Sequence, residues 1–194
     1  MPFLSEKAAS AVSTGTGGGY LNPSKIQSGS SVRFALLEDA PLEYYEIWGE
    51  ATDGSVKPFR FATEPTPDDI QVEFGDDYTR RLNYEGTAPD PAKFGISVPV
   101  FNHDTNSVQV LAITQKSINR ELDAISQMED YANLLEWDFV LDKQGNGLNT
   151  EYSLRAVPRK KGTNTVIEEA WSEAKKSGFD IQRLMTGGNP FKSE

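Results

Sequence analysis

Lys57, Phe59, Arg60 and Phe61 interleave cationic and aromatic side chains just after the run Tyr44-Tyr45-Glu46-Ile47-Trp48. That pairing of residue types suits a single nucleic-acid strand. Cations follow the phosphates, and flat rings stack on bases at about 1–3 kcal/mol each. Tyr44, Trp48 and Phe59 are the candidate stacking rings, with Lys57 and Arg60 as phosphate contacts. On a regular strand, however, Lys57, Phe59 and Phe61 share one face and Arg60 takes the other, unless Pro58 breaks the register. Strand aromatics more often fill cores than bind ligands. Glu46 and Glu50 also share Trp48's face, where carboxylates would repel phosphate. A second basic group follows later: Arg155, Arg159, Lys160 and Lys161 place four cations in seven positions. A phosphate-binding stretch and a solvated connector both fit it. Arg33 sits opposite the apolar side of its strand and faces either a groove or open solvent.

No catalytic signature competes with these groups, so the chain is expected not to be an enzyme and to need no cofactor. It has no cysteine, which excludes disulfides and thiolate metal sites, and its single histidine leaves little for a structural zinc. His103 lies within Asn102-His103-Asp104-Thr105-Asn106, where an Asx-rich turn accounts for the polar residues without catalysis. Asp68-Asp69 and Asp76-Asp77 lack the alternate spacing and glycine of a calcium loop and read as a solvated acidic insertion. The run Ser13–Gly19 (STGTGGG) lacks both the Lys-Ser/Thr and the preceding strand of a phosphate loop.

Elements that could position the candidates follow from periodicity. At 194 residues, 37% apolar and 10% aromatic, the chain can hold one well-packed domain, and its 16 Gly and 11 Pro favour a turn-rich β architecture. Residues 1–19 read as a flexible Gly/Ser/Thr-rich arm. Ser30 to Leu37 alternates Val32, Phe34 and Leu36 on one face, which is a half-buried strand. Leu42 to Trp48 and Val56 to Phe61 flank a hairpin turn at Asp53-Gly54. Residues 62–93 form an acidic excursion, with a short strand suggested at Ile70 to Phe74. Phe94 to Phe101 and Ser107 to Thr114 make a second hairpin around His103–Asn106. Thr114 can cap a helix to about Met128, whose stripe Ile118, Leu122, Ile125 and Met128 would plug a barrel end. Glu136 to Leu141 and Thr150 to Val157 flank Gly145-Asn146-Gly147, with Trp137 and Phe139 in the core. Thr165 to Glu168 has capping-box spacing, Gly178 supplies a stop, and Trp171 docks this last helix on the barrel.

The expected fold is therefore mainly β with two helices: an OB-fold-like five-stranded barrel with a helical plug over residues 20–161, then a C-terminal helix and flexible tail over 162–194. The ordered set of an NHDT turn, LAITQKSINREL and WDFVLDKQGNGLNTEYSL, preceded by the Tyr44–Trp48 and Lys57-Pro58-Phe59-Arg60 segments, resembles the phage single-stranded-DNA-binding proteins with an OB-fold. The resemblance covers about residues 20–190 and is strongest over 94–157. It implies binding and protection of single-stranded DNA in replication, recombination or repair, without catalysis and with little sequence preference. Replication or recombination proteins are the implied partners, and self-association is compatible with it. The chain departs from the T-even helix-destabilising protein, whose zinc it cannot match, and its end GGNPFKSE is hardly acidic.

Charge bears on this expectation. The net charge is −10, and from Glu38 to Asp90 fourteen acids face four basic residues, which opposes phosphate binding. A groove can still be basic on an acidic protein. The alternative reading is an OB-type protein-interaction or assembly module without nucleic-acid binding. No apolar run approaches the ~20 residues of a membrane span, and MPFLSEKAAS lacks a signal-peptide pattern. A cytoplasmic protein is expected, in the host cell if viral.

Overall fold

The computed structural model describes residues 19–192, so most of the arm assigned to 1–19 lies outside the described residues. The chain is mainly β. Its strands are β1 (Tyr20–Leu21), β2 (Ser30–Leu36), β3 (Leu42–Ala51), β4 (Val56–Phe61), β5 (Tyr78–Arg80), β6 (Lys93–Asn102), β7 (Ser107–Ile113), β8 (Trp137–Gln144) and β9 (Glu151–Pro158). Among the described residues three α-helices accompany them: α1 (Pro67–Phe74), α2 (Lys116–Ser126) and α3 (Asn164–Lys176).

The nine strands form one mixed sheet, ordered β1-β7-β6-β2-β8-β9, from which the β3–β4–β5 group branches. β6 is the junction. One edge pairs with β7, while the other pairs first with β2 (Phe34↔Asn102) and then with β3 (Leu42↔Ser97). β1 runs parallel to β7, and the other pairings are antiparallel. Among the described residues no ladder joins β9 to β1, so the paired sheet is open rather than a closed five-stranded barrel.

The period-two readings place the core. Val32, Phe34 and Leu36 of β2 meet Phe139 and Leu141 of β8 and Leu154 of β9, with Phe34 and Phe139 stacked at 5.8 Å. α2 covers this layer through fully buried Ile118 and through Ile125, with Leu122 partly buried beside them. Its apolar stripe stops short of the expected end: Met128 is half exposed. Gln115 is the N-cap, without a side-chain bond, and its amide oxygen instead accepts the Thr114 N–H. Thr114 therefore does not cap the helix. α3 docks as expected, packing Ile167 and Trp171 against Ala35, Leu37 and Phe101. Its N-cap is Thr163, so the Thr165–Glu168 spacing forms no capping box.

Two further expectations change. Ile70 to Phe74 is helix, not strand, because Thr66 and Asp69 close a reciprocal capping box and Pro67 opens the first turn. The i,i+4 pair Ile70 and Phe74 then packs on Phe59 and Ile47. The chain end is not a loose tail within the described residues. A 3-10 turn at Ile181–Thr186 buries Leu184, and Phe191 sits edge-on to Phe179 and Tyr20. Gly19 lets that ring approach: a Cβ there would lie 2.6 Å from it.

No helix among the described residues is long and apolar enough to cross a membrane.

Candidate nucleic-acid interface

Residues directly opposed in a ladder point to the same side of a sheet. On β2–β8–β9 the core side holds Val32, Phe34, Phe139, Leu141 and Leu154. The outer side therefore holds the rows Arg33–Val140–Arg155 and Ala35–Asp138–Val157. Period two thus sends Arg33 and Arg155 outward together, with two strand spacings, roughly 10 Å, between their backbones.

Asp138 organises this face. It is fully buried, and its Oδ2 accepts hydrogen bonds from Arg33 Nε at 2.8 Å and from the Lys160 backbone N–H at 3.0 Å. Arg159 Nε lies 2.9 Å from Oδ1 and His103 Nε2 lies 3.0 Å from Oδ2. These last two contacts are at ion-pair distance but off the line of a directed hydrogen bond. The guanidiniums are held in turn by carbonyls: Arg33 Nη2 donates to Pro158 O at 2.7 Å, and Arg159 Nη2 to Trp137 O at 3.1 Å and to Leu135 O. A carboxylate taken out of water needs such partners, since desolvating it alone costs several kcal/mol.

α3 covers the Ala35 end of this face, and the end toward Arg155 and the loop after β9 opens to solvent. Arg155 is 56% exposed and pairs with Asp142. Lys160 and Lys161 are exposed and have no ion-pair partner among the described residues. Arg33 is one-third exposed. Arg159 differs from its neighbours: it is mostly buried and committed to Asp138 and to carbonyls, so it braces the face and does not reach outward.

The candidates on β3 and β4 form a separate group, split between two faces. Tyr44, Glu46, Trp48 and Arg60 share one side, whereas Ile47, Phe59 and Lys57 share the other. Tyr44 is buried, with its hydroxyl 2.9 Å from Ser97 Oγ, and burial pushes that phenol above its ordinary value. Phe59 is buried between Phe74 and Tyr78, at 4.5 and 5.1 Å between ring centroids. Neither ring is presented to a base. Arg60 donates to Glu46 Oε2 at 3.1 Å and to Leu184 O at 3.2 Å, and its guanidinium lies 5.0 Å over the Tyr44 ring. Half-buried Trp48 donates to Glu46 Oε1 at 3.1 Å. Lys57 alone of this set is exposed, with its ammonium 4.6 Å over the Phe59 ring.

Asp138 and His103 were not among the sequence candidates as site organisers. One signal was available: an acid between Trp137 and Phe139 in an apolar strand, and an arginine at the matching parity of β2. Among the described residues, no group of three or more His, Asp or Glu side chains is placed to hold a metal. No family model, curated protein or solved structure matches this chain.

Proposed function

We propose that the chain binds and protects single-stranded DNA, without catalysis, on the outer face of β2–β8–β9. The observation that carries this reading is the row Arg33–Val140–Arg155 on one face, with Asp138 of the same face fixing the backbone of the loop that carries the exposed Lys160 and Lys161. Counterion release at such a face supplies affinity without base readout. The candidate rings Tyr44, Trp48 and Phe59 lie elsewhere, so contact here is led by phosphate and has little sequence preference. The resemblance over residues 94–157 supports an OB-type scaffold and a setting in phage DNA replication, recombination or repair in the host cytoplasm.

The test is anisotropy of a labelled thirty-nucleotide strand at two salt concentrations. Affinity should fall steeply with salt, and Lys160→Glu with Lys161→Glu should weaken it by about tenfold or more. Salt-independent binding, or no binding at low salt, ends the reading.

A further inference from the structure

A cavity of about 360 Å³ opens between α2 and the corner where β2 passes into β3. That volume falls within the range of about 300–1,000 Å³ typical of ligand sites. Its floor is Leu36, Ile96 and Val98, all buried core residues, with Leu122 on one wall. Phe94, 43% exposed, stands at the mouth. The rim is of one sign. Glu38, Asp39, Glu43 and Asp123 come from the β2–β3 connection, β3 and α2, and among the described residues no Lys, Arg or His lines the cavity.

These carboxylates are not balanced internally. Glu38, Asp39 and Glu43 have no ion-pair partner among the described residues. Among the described residues the Asp123 carboxylate accepts only the uncharged amide of Gln127, at 2.9 Å. Like charges held around an apolar opening repel one another and raise the cost of the empty state. An occupant that buries an apolar side chain on the floor and sets cations against the rim answers both terms. A nucleic-acid strand fits neither, because its phosphates would meet the carboxylates.

We propose that this cavity is a docking site for a segment of a partner protein in which a large apolar side chain is flanked by lysines or arginines. The apolar side chain enters over Leu36 and Val98, and its neighbours pair with Glu43 and Asp123. The site does not depend on the outer face of β2–β8–β9, so it can operate whether or not that face binds DNA.

The experiment uses the full chain and a labelled peptide of sequence Lys-Lys-Leu-Phe-Lys-Lys, followed by anisotropy. Saturable binding is expected, weakened by salt and reduced about tenfold or more by Glu43→Lys with Asp123→Lys. Both positions are exposed, so the variant should keep the wild-type circular dichroism. Asp39→Lys, in the connecting loop, serves as an independent variant and should show a smaller loss in the same direction. Amide shifts at Leu36, Val98 and Leu122 should follow peptide occupancy. Absence of binding overturns the proposal, as does binding unchanged in the charge-reversed chain. An all-lysine peptide that binds equally well also overturns it, since the cavity floor would then play no part. Equal binding by benzylammonium would make this a small-molecule pocket. A dimer of the chain alone that Glu43→Lys dissolves would make it a self-contact.

Discussion

Arg33 and Asp138 meet diagonally across the β2–β8 ladder, with Arg33 Nε 2.8 Å from Asp138 Oδ2 although 105 residues separate them in the chain. The contact ties the first long strand to the basic exit of β9, because the same Oδ2 also accepts the Lys160 N–H. Fold and candidate interface therefore share one carboxylate.

Removing that carboxylate should be costly. Asp138→Ala leaves Arg159 largely buried without its counter-charge, and the expected loss is about 3–5 kcal/mol in urea unfolding. Arg33→Ala should cost less, because Arg33 is one-third exposed and water screens its half of the pair. Equal losses in the two variants would show that Arg159 is not the main partner.

DNA binding should separate the two candidate groups. Lys160→Glu with Lys161→Glu should lower the salt slope by about 1.4, the value for two lost phosphate contacts on a single strand. Trp48→Phe should leave affinity within about twofold, since Trp48 lies on the β3–β4 hairpin and not on the outer face. A large loss with Trp48→Phe and none with the lysine reversals would move the interface back to β3–β4.

Acid should loosen α1 first. Hydrogen bonds from the Thr66 side chain and then its backbone hold the Asp69 carboxyl below the usual carboxylate range. A lowered folded-state value means the box contributes fully above the unfolded carboxyl value and is lost as pH falls through the folded one. Protection of the Asp69 and Ile70 amides, taken as the intrinsic exchange rate at each pH over the observed one, should therefore fall in that acid window. Thr66→Ala should bring the loss of protection to neutral pH and cost about 0.5–2 kcal/mol of helix stability. Protection factors at these amides that stay constant through the acid window would remove the box from the account.

Alkali acts on the other face of the β3–β4 hairpin that α1 packs against. Burial raises the Tyr44 phenol, with the Ser97 hydrogen bond and the Arg60 charge opposing the shift. A raised folded-state value gives stability that is complete below the unfolded phenol value, about 10, and is lost as pH rises through the folded one. Urea midpoints should fall above about pH 10, and less so in Tyr44→Phe. That variant should lose about 1 kcal/mol at neutral pH with its hydroxyl contact to Ser97. Tyr20 and Tyr152 are raised by burial as well, so the flattening should be partial.

Much of the scaffold was legible because period two and the helical stripe report which side of an element is apolar. Val32–Phe34–Leu36, the hairpin around His103–Asn106 and the pair Ile118–Ile125 all read correctly in this way. Parity does not report what covers the other side. Asp138 reads as a solvated acid until Arg33, Arg159 and His103 are brought over it by strands distant in sequence. Tyr44 and Phe59 read equally well as platforms or as core, and burial by Ser97, Phe74 and Tyr78 settles their packing. α1 was hidden because its eight residues carry few apolar groups and sit among prolines and acids, where only the capping box marks a helix.

The packing of Phe191 against Gly19 and Tyr20 brings the two ends of the described chain side by side. Sequence order is therefore partly arbitrary here. A short Gly/Ser bridge from Lys192 to Gly19, with new termini cut at the exposed Asp53-Gly54 turn, defines a circular permutant that keeps every ladder of the sheet between strands already present.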